Sequence, residues 1–200
     1  MDLAELFNFY GSDKDNNGYS HLYSILFDKM KNDNLNILEI GIGTMIPNVK
    51  SSMKGYMPDD YKQGASLRAW RDYFINSNII GVDIQPDTIF IDERIKTYIC
   101  DSTDKKSVEN LISNLNVQFD IIIDDGYHLD MAQLMTLNNF LPHLKDGGLY
   151  IIEDIYPGSK INSNPNVIRS IVNNYEYYFV GLKNNQCVIR KKEIKSKGFC

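Results

Sequence analysis

The stretch 36-NILEIGIG-43 is a short apolar run that stops on two closely spaced glycines. Asn36 to Ile40 has no polar alternation, so it reads as a strand buried on both faces. Glycines at 41 and 43 let the backbone turn tightly where that strand ends. Outward from it the pattern repeats. Ile79 to Asp83, Ile95 to Cys100, Phe119 to Ile123 and Leu149 to Ile152 are further apolar runs. Between them lie helical stripes: Leu67, Trp70 and Phe74; Val108, Leu111, Ile112 and Leu115; Met131, Leu134, Leu137, Leu141 and Leu144. Ser102 or Thr103 is placed to cap the second of these helices, and Gly147-Gly148 to end the third segment. Buried strands alternating with amphipathic helices imply a doubly wound α/β domain, its ligand lying beyond the carboxyl ends of the strands.

The C-terminal part differs. Tyr175 to Leu182 and Gln186 to Arg190 read as two strands about a Lys183-Asn184-Asn185 turn, a hairpin that adds antiparallel pairing at one sheet edge. The expectation is therefore a Rossmann-like, mostly parallel, seven-stranded sheet in one domain. Residues 1–34 form an N-terminal helical or lid segment, 35–155 the core, and 156–200 a C-terminal helix and hairpin. Residues 44–63, with Pro47, Gly55 and Pro58, read as an irregular insertion; loops of this length in compact domains are usually functional or disordered.

Composition narrows the partners. A chain of 200 residues with 43% hydrophobic content can build one full core. Its net charge is -5 and basic residues do not cluster before the Lys191 to Lys197 run, read as a solvated tail, so nucleic acid is disfavoured. Cys100, Cys187 and Cys200 match no metal spacing and read as reduced cytosolic thiols. No signal peptide or membrane span is expected, so the chain is placed in the cytoplasm, with its oligomeric state open.

At the cofactor end, Ile46 stands where a dinucleotide fingerprint needs its third glycine, which disfavours NAD. Asp83, at the end of the second strand, is placed to accept from ribose hydroxyls. Asp101-Ser102, at the end of the third, is placed to accept from an adenine amino group, with helix capping as the alternative. Gly64-Ala65-Ser66-Leu67 opens a helix whose free N–H groups suit a carboxylate, unless Ser66 merely caps it. Asp124, Asp125, Glu153 and Asp154 converge at the ends of strands four and five. They repel one another unless a cation or protons compensate, and hard oxygen ligands favour magnesium or calcium. The alternative is helix capping, or pairing with Lys145, Arg68 or Arg71. His128 lies beside this acidic group; His21 and His143 do not, and His143 reads as a structural residue on the third helix. Tyr127 and Tyr156 are placed either to line the pocket or to pack.

The segments EIGIG (39–43), GASLRAW (64–70), IIGVDI (79–84), FDIIIDDGYH (119–128) and LKDGGLYIIEDI (144–155) resemble the class I S-adenosylmethionine-dependent methyltransferases. They more closely resemble the metal-dependent sugar O-methyltransferases of macrolide and mycinose tailoring, with relatives in polysaccharide clusters. Gly11-Ser12-Asp13-Lys14, then Tyr19 and Tyr23, is similar to that group's N-terminal segment. The resemblance covers about residues 10–155, and the 44–63 insertion departs from it. It implies bound magnesium or another divalent cation on Asp125, Glu153 and Asp154, with His128 as general base. It implies a cofactor site on Gly41, Gly43, Ser66, Asp83 and Asp101, to which Glu39, Ser102 and Asp124 are added as neighbours. The implied reaction methylates a hydroxyl of a sugar, sugar nucleotide or other sugar-containing small molecule. A catechol or phenol acceptor, a metal-free N-methyltransferase and a non-catalytic cofactor-binding module remain the other readings.

Overall fold

In the computed structural model, which describes residues 1–173, 175–181 and 185–192, the NILEI run forms β1 (Asn36–Ile40), the centre of the sheet. β2 (Asn78–Asp83) and β5 (Phe119–Asp124) flank it in parallel register, Glu39 lying opposite Gly81 and Ile123. β4 (Ile95–Ile99) extends the parallel sheet beyond β2, and β6 (Leu144–Ile155) extends it beyond β5. The hairpin of β7 (Tyr175–Val180) and β8 (Asn185–Lys191) adds antiparallel pairing beside β6. A two-residue strand, β3 (Ile91–Asp92), pairs antiparallel with β4 at the opposite edge. Among the described residues the sheet thus has eight strands, ordered β3-β4-β2-β1-β5-β6-β8-β7. The expected seven gain this short edge strand. Leu182 of the expected first hairpin strand, Lys183 and Asn184 of the expected turn, 193–197 of the basic tail and Cys200 lie outside the described residues.

Helices cover both faces. α4 (Lys105–Leu115) and α5 (Asp130–Phe140), with the short α6 (Lys160–Ser163) and α7 (Pro165–Arg169), lie against one core, built on Leu38, Ile40, Ile122, Tyr150 and Ile152. α1 (Leu3–Tyr10), α2 (Tyr19–Phe27) and α3 (Ala65–Tyr73) cover the other, built on Ile37, Ile121, Ile123 and Ile151. Its centre is aromatic: Phe7, Tyr23 and Phe27 meet Trp70 edge-on at 4.9, 5.1 and 6.0 Å between ring centroids. Such pairs add to the burial of the rings themselves. Trp70 Nε1 donates to Glu39 Oε2 at 2.8 Å, tying the helical layer to β1.

Several local expectations change. α4 is capped by Asp104, which accepts from Lys106 N and Ser107 N, and not by Ser102 or Thr103. Ser66 lies inside the first turn of α3, and Gly64, in the left-handed region, takes the cap position. Gly147 and Gly148 do not end a segment. They sit inside β6, where the pairing with β5 slips between Phe119 and Ile121, and a side chain at 148 would crowd the Asp120 carbonyl. The buried residues of α5 are Ala132, Gln133, Thr136, Leu137 and Phe140, while Met131 is exposed and Leu144 opens β6. His143 stands on a 3-10 turn, Leu141–His143, after that helix.

Replacing Trp70 by Phe keeps the aromatic packing but strips a donor from a buried carboxylate. The expected loss in unfolding free energy is about 2–4 kcal/mol, read from the denaturant midpoint. A change below about 0.5 kcal/mol, the size typical of surface substitutions, would show that the indole–Glu39 bond carries no weight.

Candidate active site

Side chains alternate along a strand, so residues two apart share a face. In β1, Ile37 and Glu39 share the face covered by α1–α3. So do Ile121, Ile123 and, one step past β5, Asp125; in β6, so do Leu149, Ile151 and Glu153. Three carboxylates from three adjacent strands are thereby set at one end of one apolar face. The N-terminal segment answers them. Asp2 caps α1, Gly11 ends it in the left-handed region, and the following turn buries Lys14 under the strand ends. The Lys14 ammonium lies 2.8 Å from Asp125 Oδ2, 2.7 Å from Glu153 Oε2 and 3.1 Å from Glu39 Oε1. Tyr23 donates its hydroxyl to the other Glu153 oxygen, and Gln186 Nε2 donates to Tyr23 at 3.1 Å. Gln133 Nε2 donates to the Glu153 carbonyl at 2.9 Å.

An outer group adjoins this cage. Against β8, Ile152 pairs with Cys187 and Ile155 with Asn185, so Glu153 and Asp154 together oppose the single residue Gln186. That is a β-bulge, and Asp154 holds a left-handed φ of 51° within it. Strained backbone of this kind clusters at functional sites. The bulge breaks the alternation that would send residues 153 and 154 to opposite faces. Tyr19 donates its hydroxyl to Asp154 Oδ1 at 2.7 Å. His128 Nε2 stands 3.7 Å from both Asp125 Oδ1 and Asp154 Oδ2. One ligand atom each from Asp125, His128 and Asp154 lies within 4.8 Å of the others, a spacing able to hold a metal ion.

The electrostatics follow from burial. Burial alone would pull the Lys14 pKa down, but Asp125, Glu153 and Glu39 outweigh it and hold the ammonium well above the ordinary lysine range. Burial pushes the Asp125 carboxyl up to about 6, with Lys14 and His128 opposing and Asp154 adding to the shift. Glu153 is likewise pushed well above the ordinary range by burial, against Lys14. Carboxylates this reluctant to ionise in one place suit a site that awaits more positive charge.

Beside the acidic group lies a cavity of about 60 Å³, whose walls include Gly41, Asp83, Asp101, Ser102 and Gly126. Gly41 allows its close approach. At φ 82° a side chain there would run into the Asp125 carbonyl. Asp83 accepts from Ile42 N at 3.0 Å, Gly43 N at 3.2 Å and Gln85 N at 3.0 Å. Its Oδ1 also accepts from Ser51 Oγ at 2.8 Å. Asp101 accepts from Thr103 N at 2.9 Å, and the Ser102 hydroxyl meets Thr136 Oγ1 at 2.9 Å. The 44–63 segment is folded over this cavity. Ser51 and Lys50 line it, Lys50 Nζ lies 4.8 Å from the centre of the Tyr127 ring, and Met53 and Tyr61 pack on Gly43.

The residues expected in the site therefore divide. Gly41, Asp83, Asp101 and Ser102 line the cavity, with Gly43 beside it beneath the insertion. Glu39 is instead a member of the Lys14 cage, because strand alternation turns it to the face opposite Ile40. Asp124 is buried on the other face, accepting from Tyr150 at 3.0 Å, and burial raises its pKa to about 7. Ser66 is buried in α3 and is not among the cavity's lining residues. Glu153 faces Lys14 and Tyr23, outside the Asp125–His128–Asp154 group. The cations weighed earlier lie elsewhere: Lys145 pairs with Asp120, and Arg68 and Arg71 with Asp92. A larger open groove, about 1000 Å³, runs between α1, α2 and the end of α3, but shares no residue with the acidic group.

Demethylmacrocin O-methyltransferase of Streptomyces fradiae is 33% identical over 147 residues, covering 72% of this chain and 34% of that protein. Mycinamicin VI 2''-O-methyltransferase of Micromonospora griseorubida is 32% identical over 160 residues, covering 78% of this chain and 36% of that protein. The MycE methyltransferase from the mycinamycin biosynthetic pathway, solved with Mg and SAH, matches with a TM-score of 0.76 at 25% identity. That match covers 100% of this chain and 57% of MycE.

This chain is a homologue of sugar O-methyltransferases.

It spans about a third of the length of the curated relatives it matches. No family model matches it.

Lys14, Tyr19, Tyr23, Trp70, Gln133 and Gln186 were not singled out as site residues from the chemistry of the sequence. The GSDK segment and the two tyrosines carried a signal only through resemblance. Replacing Gly41 by Ala places a side chain against the Asp125 carbonyl, with an expected cost of about 3 kcal/mol or more. Thermal unfolding checks this; an unchanged melting temperature would mean that the β1 and β5 ends are free to part.

Proposed function

We propose that the chain is an S-adenosylmethionine-dependent, divalent-metal-assisted O-methyltransferase acting on a hydroxyl of a sugar-containing small molecule. The observation that carries this reading is the meeting of Asp125, His128 and Asp154 beside the glycine-turn cavity. The Asp125 and Asp154 carboxylates are hard oxygen donors that fit a divalent ion such as magnesium, and Asp125, raised by burial, gains from its charge. Among the relatives, MycE was solved with Mg, SAH and mycinamycin VI. When bound, such an ion supplies orientation and acidification of an acceptor hydroxyl.

The chain's own groups divide the remaining work. Asp83 and Asp101 offer carboxylates to ribose and adenine groups, and Gly41 admits the cofactor close to the backbone. His128 Nε2, directed at the two carboxylates, is placed to take the hydroxyl proton as the methyl group arrives. Tyr127 and Tyr156, half exposed beyond β5 and β6, offer apolar surface to the acceptor. The acceptor proposed is a glycoside hydroxyl, on a polyketide or on a polysaccharide precursor. Among the described residues no helix is long and apolar enough to cross a membrane, and we place the reaction in the cytoplasm.

With Ser51 in place, a cavity of about 60 Å³ falls well short of the few hundred Å³ typical of sites for ligands of this size. A ribose hydroxyl that donates to Asp83 Oδ1 therefore competes with the Ser51 hydroxyl already bonded there at 2.8 Å. Ser51→Ala removes that competing hydrogen bond and should tighten SAH binding about fivefold to tenfold in calorimetry, equivalent to a bond of ~1–1.5 kcal/mol. Weaker binding would instead make Ser51 part of the bound site.

The reading as a whole is tested by turnover. Methyl transfer to glycosylated polyketides, sugar nucleotides and catechols should be measured with and without EDTA, and chelation should abolish it. His128→Ala should retain SAH and Mn2+ affinity and turn over at least ~10²-fold more slowly. Undiminished turnover in EDTA would reject the metal. A parallel loss of Mn2+ affinity in His128→Ala would make the imidazole a ligand and not the base.

A further inference from the structure

We infer that Tyr61 reads the amino-acid end of the cofactor: its hydroxyl, which faces the second glycine of the β1 turn, hydrogen-bonds the methionine zwitterion and so separates S-adenosylmethionine from adenosine derivatives that lack this end. The inference rests on the cofactor reading above. The sulfur of that cofactor bears three arms. Asp83 and Asp101 assign the adenosyl arm to the cavity beside Gly41. The transferable methyl must point to the acceptor hydroxyl beside His128. The amino-acid arm is then left the third direction, over Gly43 toward the start of α3.

Tyr61 stands on that path. A side chain built on Gly43 would lie 3.2 Å from the Tyr61 hydroxyl, and Gly43 holds a left-handed φ of 76°. The backbone fixes both sides of the path. The Pro58 carbonyl accepts from Tyr61 N at 3.0 Å, which closes a turn, and Gly64 N donates to the Ile42 carbonyl at 3.1 Å, which seats the start of α3 against the glycine turn. Yet the half-buried Tyr61 side chain donates its hydroxyl to no atom of the described residues. Phenol hydroxyls withdrawn from bulk water usually find a hydrogen-bond partner, so this one is open to a ligand.

The surroundings suit a zwitterion. Burial, then the charges of Glu39, Asp13 and Asp125, holds the Tyr61 pKa above the ordinary phenol range, so the hydroxyl keeps its proton and can donate to a carboxylate. The first N–H groups of α3, which have no partner within the helix, favour the same carboxylate. Lys14 answers Glu39 and Asp125. Asp13 accepts from Asn17 Nδ2 at 3.1 Å and forms no ion pair among the described residues, so its charge is available to an ammonium group.

The test is calorimetry on the whole chain with two probes. SAH carries the amino-acid end; methylthioadenosine keeps the adenosine and the thioether and lacks that end. Tyr61→Phe removes one oxygen and keeps the ring. It should weaken SAH binding about tenfold, the size of a hydrogen bond to a charged group. It should leave methylthioadenosine within about twofold of the wild type, the range of a substitution that touches nothing bound. Asp83→Asn, at the ribose end, should weaken both probes alike. SAH affinity within about twofold of the wild type in Tyr61→Phe overturns the inference. An equal loss on both probes also overturns it, because Tyr61 then acts only on the shape of the adenosine cavity. A wild type that binds neither probe rejects the cofactor reading itself, and the inference falls with it.

Discussion

An ammonium group taken out of water is tolerated only where opposite charge surrounds it, and in this protein one such group joins the two halves of the molecule. Lys14 comes from the N-terminal helical layer, and its partners come from the ends of β1, β5 and β6. The aromatic core between those layers supplies hydrophobic association but little direction. The ion cage supplies direction, because its distances admit one seating of the α1–α2 segment on the sheet. Asp125 and Asp154 then owe their orientation to it, Asp125 through Lys14 and Asp154 through Tyr19 of the same segment.

Much of this was legible in the residues, and the exceptions have physical causes. Continuous apolar runs announced the parallel strands, because strands buried on both faces need no polar alternation. The glycine turn, Asp83 and Asp101 were readable because they fall where such a sheet ends. The α5 stripe was misjudged because Met131 and Met135 are apolar yet exposed, so hydrophobicity did not mark the inner face. Gly147-Gly148 looked like a terminator, whereas the pair forms an irregularity inside a long strand. Glu39 was grouped with the cofactor site, and Glu153 with the metal ligands, on the strength of their neighbours. Only strand parity, and the extra residue opposite Gln186, separates the inner carboxylates from the outer ones. The partner of the acidic group was sought among Lys145, Arg68 and Arg71, on the helices and strands of the core. The actual partner lies 111 residues before Asp125, a separation that no local pattern reveals.

The segment 44–63, read from the sequence as an insertion, lies over the cofactor side, and its Tyr61 reaches the charges of Glu39 and Asp125 as well. Its contacts run to Asp83, Asp87, Gly43 and Tyr127. Asn48 and Ser51 both sit in the left-handed region, each at φ 61°. Backbone of that kind, in residues other than glycine, persists only while surrounding contacts hold it. The acidic cage carries its own counter-ion; the cavity next to it carries its own stand-in hydroxyl. Each half of the site is thus closed by the chain itself.

Trp70 gives this arrangement an optical consequence. It is the one tryptophan in the sequence, wholly buried, with its indole N–H on Glu39 and Glu39 in turn on Lys14. Indole emission responds to the field and hydrogen bonding at that nitrogen. The chain therefore contains a single built-in fluorophore wired to the charge balance at its strand ends, so the state of the cage can be followed by light without any label.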